Sequence, residues 1–89
     1  MNTKQLRPEV LAFAQLMEQR LRSKDAERGT SWKHMHEGDL MVPAAAKTYA
    51  MDRAMQNDDR DAVIKHAIDV GNYCMFIADA TGALEIPEV

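Results

Sequence analysis

The chain contains one cysteine, Cys74, among its 89 residues. An internal disulfide is therefore excluded, and so is a zinc cluster built on several thiolates. Cys74 stands inside an apolar run, where a small buried side chain is the expected role, ahead of a reactive thiol. Aromatic residues are scarce too, at 6% of the chain, although 46% of it is hydrophobic. Much of the apolar content is thus aliphatic, and seven Met residues suit an adaptable helical core. No stretch approaches the roughly 18 apolar residues of a membrane span, because charges recur throughout. The N-terminus has no long apolar segment behind its basic residues. A cytoplasmic protein without a membrane partner is the expectation. Internal repeats and low-complexity segments are also missing.

Positive charge is in deficit, with a formal net charge of -3. That balance argues against binding duplex nucleic acid, which relies on a broad basic surface. The deficit is uneven. Arg20, Arg22, Lys24, Arg28 and Lys33 cluster in the first part, while Asp52, Asp58, Asp59, Asp61, Asp69 and Asp79 crowd the second. The basic cluster suits either a small phosphorylated ligand or a solvated helix end.

What the chain does have is helical periodicity. Pro8 opens a first helix that should run to about Lys24. Val10, Ala14, Met17 and Leu21, with Phe13 beside them, form its apolar stripe. Glu18 and Arg22 make an i,i+4 pair on its exposed face. Residues 25–38 break the pattern and form the longest connection. Trp32 is its expected anchor, either a packing plug or a platform for stacking a base. His34 and His36 read as ordinary loop histidines. A second helix starts near Asp39 or just before Pro43 and reaches Met55 or Gln56, with Pro43 expected in its first turn. Asn57 or Asp58 can cap a third helix, and Asp58 and Asp61 read as charge at a helix start more than as a cation site. This third helix covers about Asp59 to Ala80, is stopped by Thr81-Gly82, and should be closed by Leu84 folding back.

These elements predict an all-α fold in a single domain over residues 1–89, with 1–7 and 83–89 as short tails. The architecture expected is a small antiparallel bundle of three helices, the last two forming a hairpin. So short a chain buries little surface alone, and oligomerisation should complete its core.

The third helix carries the informative residues, I-K-H-A-I-D-V-G-N-Y-C-M-F-I-A-D. Asp69, Asn72 and Phe76 fall at i, i+3 and i+7, a polar ridge expected beside an apolar face of Ile64, Ala67, Ile68, Gly71, Met75 and Ala78. Gly71 in mid-helix costs roughly 1 kcal/mol relative to Ala. That cost points to a close approach there, by another helix or by a ligand. Asp69 and Asn72 either brace the helices or read a ligand.

The segment D-V-G-N-Y-C-M-F-I-A-D resembles the closing helix of the MazG-like all-α nucleoside triphosphate pyrophosphohydrolases, especially small phage-encoded forms. F-A-Q-L-M-E-Q-R-L, then G-T-S-W, then a leucine-led second helix keep the same order, so the likeness spans about residues 10–82. It implies helix-mediated oligomerisation and a nucleotide site between helices. It also implies four carboxylates, a Glu-x-x-Glu pair opposed to a Glu-x-x-Asp pair, which hold Mg²⁺. Here the chain departs from the pattern. Asp69 matches the final Asp, but His66 stands at the Glu before it, and Lys47 and Ala50 fall at the other pair. No Glu-x-x-Glu precedes Glu85.

Lys47, Ala50, His66 and Asp69 sum to about zero charge, or about +1 with His66 protonated. Such a set favours an anion over a cation. The expectation is a scaffold without catalytic or metal-binding residues and without a cofactor, which binds a nucleotide, a cyclic nucleotide or another small phosphorylated molecule. Lys47, His66, Arg20, Lys24 and Arg28 would contact phosphate; Trp32, Tyr49, Tyr73 or Phe76 would stack a base; Asp69 and Asn72 would read base or sugar hydrogens, or brace the helices. A phage protein that sequesters a nucleotide signal in its host's cytoplasm is the role this implies. An active Mg²⁺-dependent pyrophosphohydrolase and a helical module binding a host protein are the alternatives.

Overall fold

The computed structural model describes residues 5–29 and 31–86, apart from the side chains of Arg28, Ser31 and Trp32. Its elements are α1 (Pro8–Arg28), a 3-10 turn (Ser31–His34), α2 (Glu37–Gln56) and α3 (Arg60–Ala80). Among the described residues there is no strand, so the fold is all-α.

Local chemistry sets the ends of these helices. Pro8 occupies the opening turn of α1, where its missing N–H costs nothing. The helix continues one turn past Lys24, with Lys24 and Glu27 paired at 3.8 Å. It stops where Gly29 turns to φ 56 and donates its N–H to the Asp25 carbonyl at 2.9 Å. The connection to α2 is correspondingly shorter than the periodicity suggests. His36 then caps α2: its Nδ1 accepts the Gly38 N–H at 3.0 Å. This cap moves the start of α2 back to Glu37 and leaves Pro43 inside the helix instead of in its first turn. The Asp39 carbonyl, four residues earlier, consequently has no helical N–H to accept.

Asn57 to Asp59 form the turn between α2 and α3, with Asp58 in the left-handed region at φ 53. The capping side chain is Asp59, which accepts the Ala62 N–H at 3.2 Å; neither Asn57 nor Asp58 caps α3. At the far end Gly82 takes φ 77 and donates to the Asp79 carbonyl at 3.0 Å. Ala83 donates instead to the Thr81 hydroxyl at 3.2 Å, and Leu84 stays exposed. A threonine turn ends α3, in place of the closure by Leu84 that the sequence suggests.

The hairpin of α2 and α3 holds the core, while α1 packs on α3 over a shorter stretch. Leu40, Ala44 and Ala54 of α2 and Ile68 and Phe76 of α3 are buried. Asp69 and Asn72 belong to this same buried line. They therefore lie in the seam itself and not on a ridge beside it, and Ile64 and Ala78, expected on the apolar face, are exposed. The stripe of α1 is displaced as well. Val10 and Ala14 are exposed, whereas Met17 and Leu21 are half-buried alongside Arg20 and Lys24.

Gly71 is where α1 meets α3. A Cβ there would lie 2.8 Å from Phe13 Cε2 and 3.6 Å from Met17 Sδ, so the close approach is that of a helix. Cys74, one turn on, is exposed, because Phe13 and Met17 cover only the Gly71 stretch.

No helix among the described residues is long and apolar enough to cross a membrane. The accessible surface is 7049 Å² for a 10.0 kDa chain, against about 5,200 Å² for a compact monomer of that mass. Much apolar surface is left uncovered, including Val42 and Tyr49 on the outer side of α2.

Candidate functional site

Asp69 is the meeting point of the three helices. Its side chain is buried, with the residue 7% exposed, and one cation reaches it from each of the other two helices. Arg20 of α1 donates Nε–H to Oδ1 at 3.1 Å. Lys47 of α2 brings Nζ to 3.2 Å from Oδ2. The Lys47 approach is off hydrogen-bond direction, so this contact is Coulombic and Oδ2 remains without a directed donor among the described residues. A carboxylate in an apolar seam would be costly alone, and two partly exposed cations offset that cost.

Each cation comes to Asp69 by ordinary helix geometry. Arg20 sits one turn beyond Met17 on the side of α1 that rests against α3. Lys47 lies one turn after Ala44, on the buried side of α2, so its stem runs over apolar surface and its head reaches Asp69.

One turn along α3, Asn72 is still more buried, at 3%. Its Nδ2–H donates to the Met17 carbonyl of α1 at 3.3 Å. This contact also fixes the amide's orientation, since a carbonyl accepts only from the nitrogen. The amide oxygen then has no donor among the described residues.

These groups border a cleft of about 300 Å³ at the end of the bundle away from the α2–α3 turn, small but within the range of ligand pockets. Arg20, Lys24 and Asp25 of α1 and Lys47 of α2 form its charged wall, with Asp69. Three cations face two carboxylates there. Leu21, Met35, Leu40 and Phe76 supply an apolar floor, and Tyr73 stands against Phe76 edge to face at 5.6 Å.

Arg20 spends only Nε on Asp69. Among the described residues no acceptor engages its two terminal nitrogens. The guanidinium is thereby held by one edge with the other edge available, the arrangement suited to a bidentate oxyanion.

Seven of the residues singled out in the sequence line this cleft: Arg20, Lys24, Lys47, Asp69, Asn72, Tyr73 and Phe76. His66 does not. It lies a turn nearer the hairpin connection, and its Nδ1 is buried with no partner among the described residues. The side chains of Arg28 and Trp32 lie outside the described residues; their backbones end α1 and form the 3-10 turn. Leu21, Asp25, Gly29, Met35 and Leu40 complete the lining and are not read as site residues in the sequence, where Leu21 stands only in the apolar stripe of α1. For Leu21 and Leu40 the apolar spacing is visible, but it marks core and cleft floor alike.

The donor set does not fit magnesium. Among the described residues no three of His, Cys, Asp and Glu converge as metal ligands. Asp69, the one buried carboxylate among the described residues, already has an ammonium and a guanidinium within 3.2 Å, which would repel a divalent ion.

No family model, curated protein or solved structure matches the chain.

Proposed function

We propose that the chain is a non-catalytic binding protein that holds a nucleotide, a cyclic nucleotide or another small phosphorylated molecule in this cleft. Contact is direct, through cationic side chains, with no bridging metal. The observation that carries this reading is the charge arrangement: three cations against two carboxylates, with Arg20 pinned to Asp69 by Nε alone. Phosphate oxygens are good acceptors for guanidinium and ammonium N–H groups of this kind. The likeness of D-V-G-N-Y-C-M-F-I-A-D to the MazG-like closing helix agrees with a nucleotide between helices. A small phage protein of that kind, acting in the host cytoplasm, would sequester a nucleotide signal.

The bound form in this reading is a homo-oligomer. The excess surface and the exposed Val42 and Tyr49 of α2 support association of copies through apolar helix faces.

Calorimetry in the presence of EDTA tests the binding reading, with inorganic phosphate, pyrophosphate, nucleotides and cyclic dinucleotides as probes. Metal-independent binding that weakens with salt is expected, with Lys47→Met about tenfold weaker through loss of one charge-assisted contact. No heat from any probe overturns it. Mg²⁺-dependent pyrophosphate release from a nucleoside triphosphate, abolished by Asp69→Ala, would establish the hydrolase instead.

A further inference from the structure

We infer that the cleft's ligand carries a hydrogen-bond donor, a sugar hydroxyl or a base N–H, which Asn72 Oδ1 accepts beside the site of the anionic group. This rests on the anion-binding reading above and adds what the rest of the ligand must offer.

Asn72 is one of two buried polar side chains among the described residues, and its amide oxygen has no donor there. Leaving a buried acceptor unmade is unfavourable, so such an atom calls for a partner that arrives later. Flipping the amide offers no escape, because the Met17 carbonyl needs the Nδ2–H. Asp69 Oδ2, one turn earlier on the same face and on the same cleft wall, also lacks a directed donor.

Two acceptors about 4.5 Å apart along α3 thus stand beside two cations that lean on Asp69. Arg20 and Lys47 side chains are 31% and 35% exposed and line the same cleft as Asp69 and Asn72, so an anion that engages them brings the rest of its molecule beside the acceptors. A bare phosphate would satisfy the cations and leave Asn72 as it is. A phosphorylated molecule with a donor one helical turn from its phosphate satisfies both.

The test compares ligands that differ only in donors. Affinities are measured for inorganic phosphate, adenosine 5′-monophosphate, its 2′,3′-dideoxy analogue and purine riboside 5′-monophosphate, and for the guanosine pair with and without sugar hydroxyls. The parent nucleotides should bind more tightly than phosphate. One class of analogue should bind about tenfold more weakly than its parent, the dideoxy class if the donor is a sugar hydroxyl, purine riboside if it is a base amine. In Asn72→Ala that difference should disappear, whereas Lys47→Met, which leaves the Asn72 acceptor in place, should weaken the nucleotides alike and retain it. Helical circular dichroism shows whether either variant is folded, and the ligand series on the unaltered protein decides the matter without them. Equal binding of parents and analogues overturns the inference, as does a difference that persists in folded Asn72→Ala. Binding of phosphate but of none of the nucleotides also overturns it while sparing the anion reading. Failure of every probe removes both.

Discussion

Asp69 is the residue on which most of the structure's chemistry converges. It is buried, yet it touches α1 through Arg20 and α2 through Lys47, so it braces three helices at one point. Removing the buried carboxylate leaves its two cations without their charge partner. The two cations are each about a third exposed, and water can screen them once freed. Asp69→Asn should therefore lower stability by about 1–3 kcal/mol and not abolish folding, read as a shift in the urea midpoint. Added salt should narrow the gap between the two proteins, since it screens the intact pairs. A variant as stable as the parent would mean that Asp69 braces nothing.

At the scale of the helices, the hairpin and α1 have different standing. α2 and α3 share the buried residues, whereas α1 rests on α3 through Phe13 and Met17 at Gly71 and through the Arg20–Asp69 and Asn72–Met17 contacts. Ala at position 71 would meet only the tip of a partly exposed ring and would gain about 1 kcal/mol of helix propensity. A longer side chain cannot be accommodated that way. Gly71→Leu should push α1 off while the hairpin persists, seen by hydrogen exchange as lost protection in α1 with protection kept in α2 and α3. Uniform loss in all three helices would show that α1 is integral to the core. Pro43 illustrates the opposite case, a local penalty that the structure tolerates. A proline at the seventh position of α2 sacrifices a hydrogen bond, but the early His36 cap and the packing of Leu40 and Ala44 hold the helix around it.

For the molecule as a whole, surface area is the deciding quantity. The chain exposes about a third more surface than a compact monomer of its mass would. Val42 and Tyr49, at 74% and 65% exposed, lie two turns apart on one side of α2. A mass above 10.0 kDa is expected by sedimentation equilibrium, at a whole multiple of the chain. Val42→Glu should shift that equilibrium toward the monomer by placing a charge in an apolar contact. A monomer at all concentrations in the unaltered protein would overturn the homo-oligomer reading.

Much of this fold is legible from spacing alone. Helices announce themselves through i,i+3 and i,i+4 repetition and through residues such as Pro8 and Gly82, whose effects act within a turn of the chain. Both helices of the hairpin and the stop at Thr81-Gly82 arise from that short range. Local reading fails where a side chain departs from its statistical role: His36 reads as a loop histidine but caps α2, and Cys74 reads as buried although α1 does not reach it. The site divides in the same way. Asp69 and Asn72 are conspicuous because polar groups in an apolar helix are costly wherever they end up. Their partners are another matter. Arg20 lies 49 residues from Asp69, and Asn72 reaches a carbonyl 55 residues away. Residue order thus determined the helices, their turns and the presence of polar groups that had to be satisfied. Only the packing of the three helices decided which cations satisfy them, that Gly71 serves α1, and that the Asn72 oxygen is left over, because such pairings depend on helix register and crossing and not on neighbours in the chain.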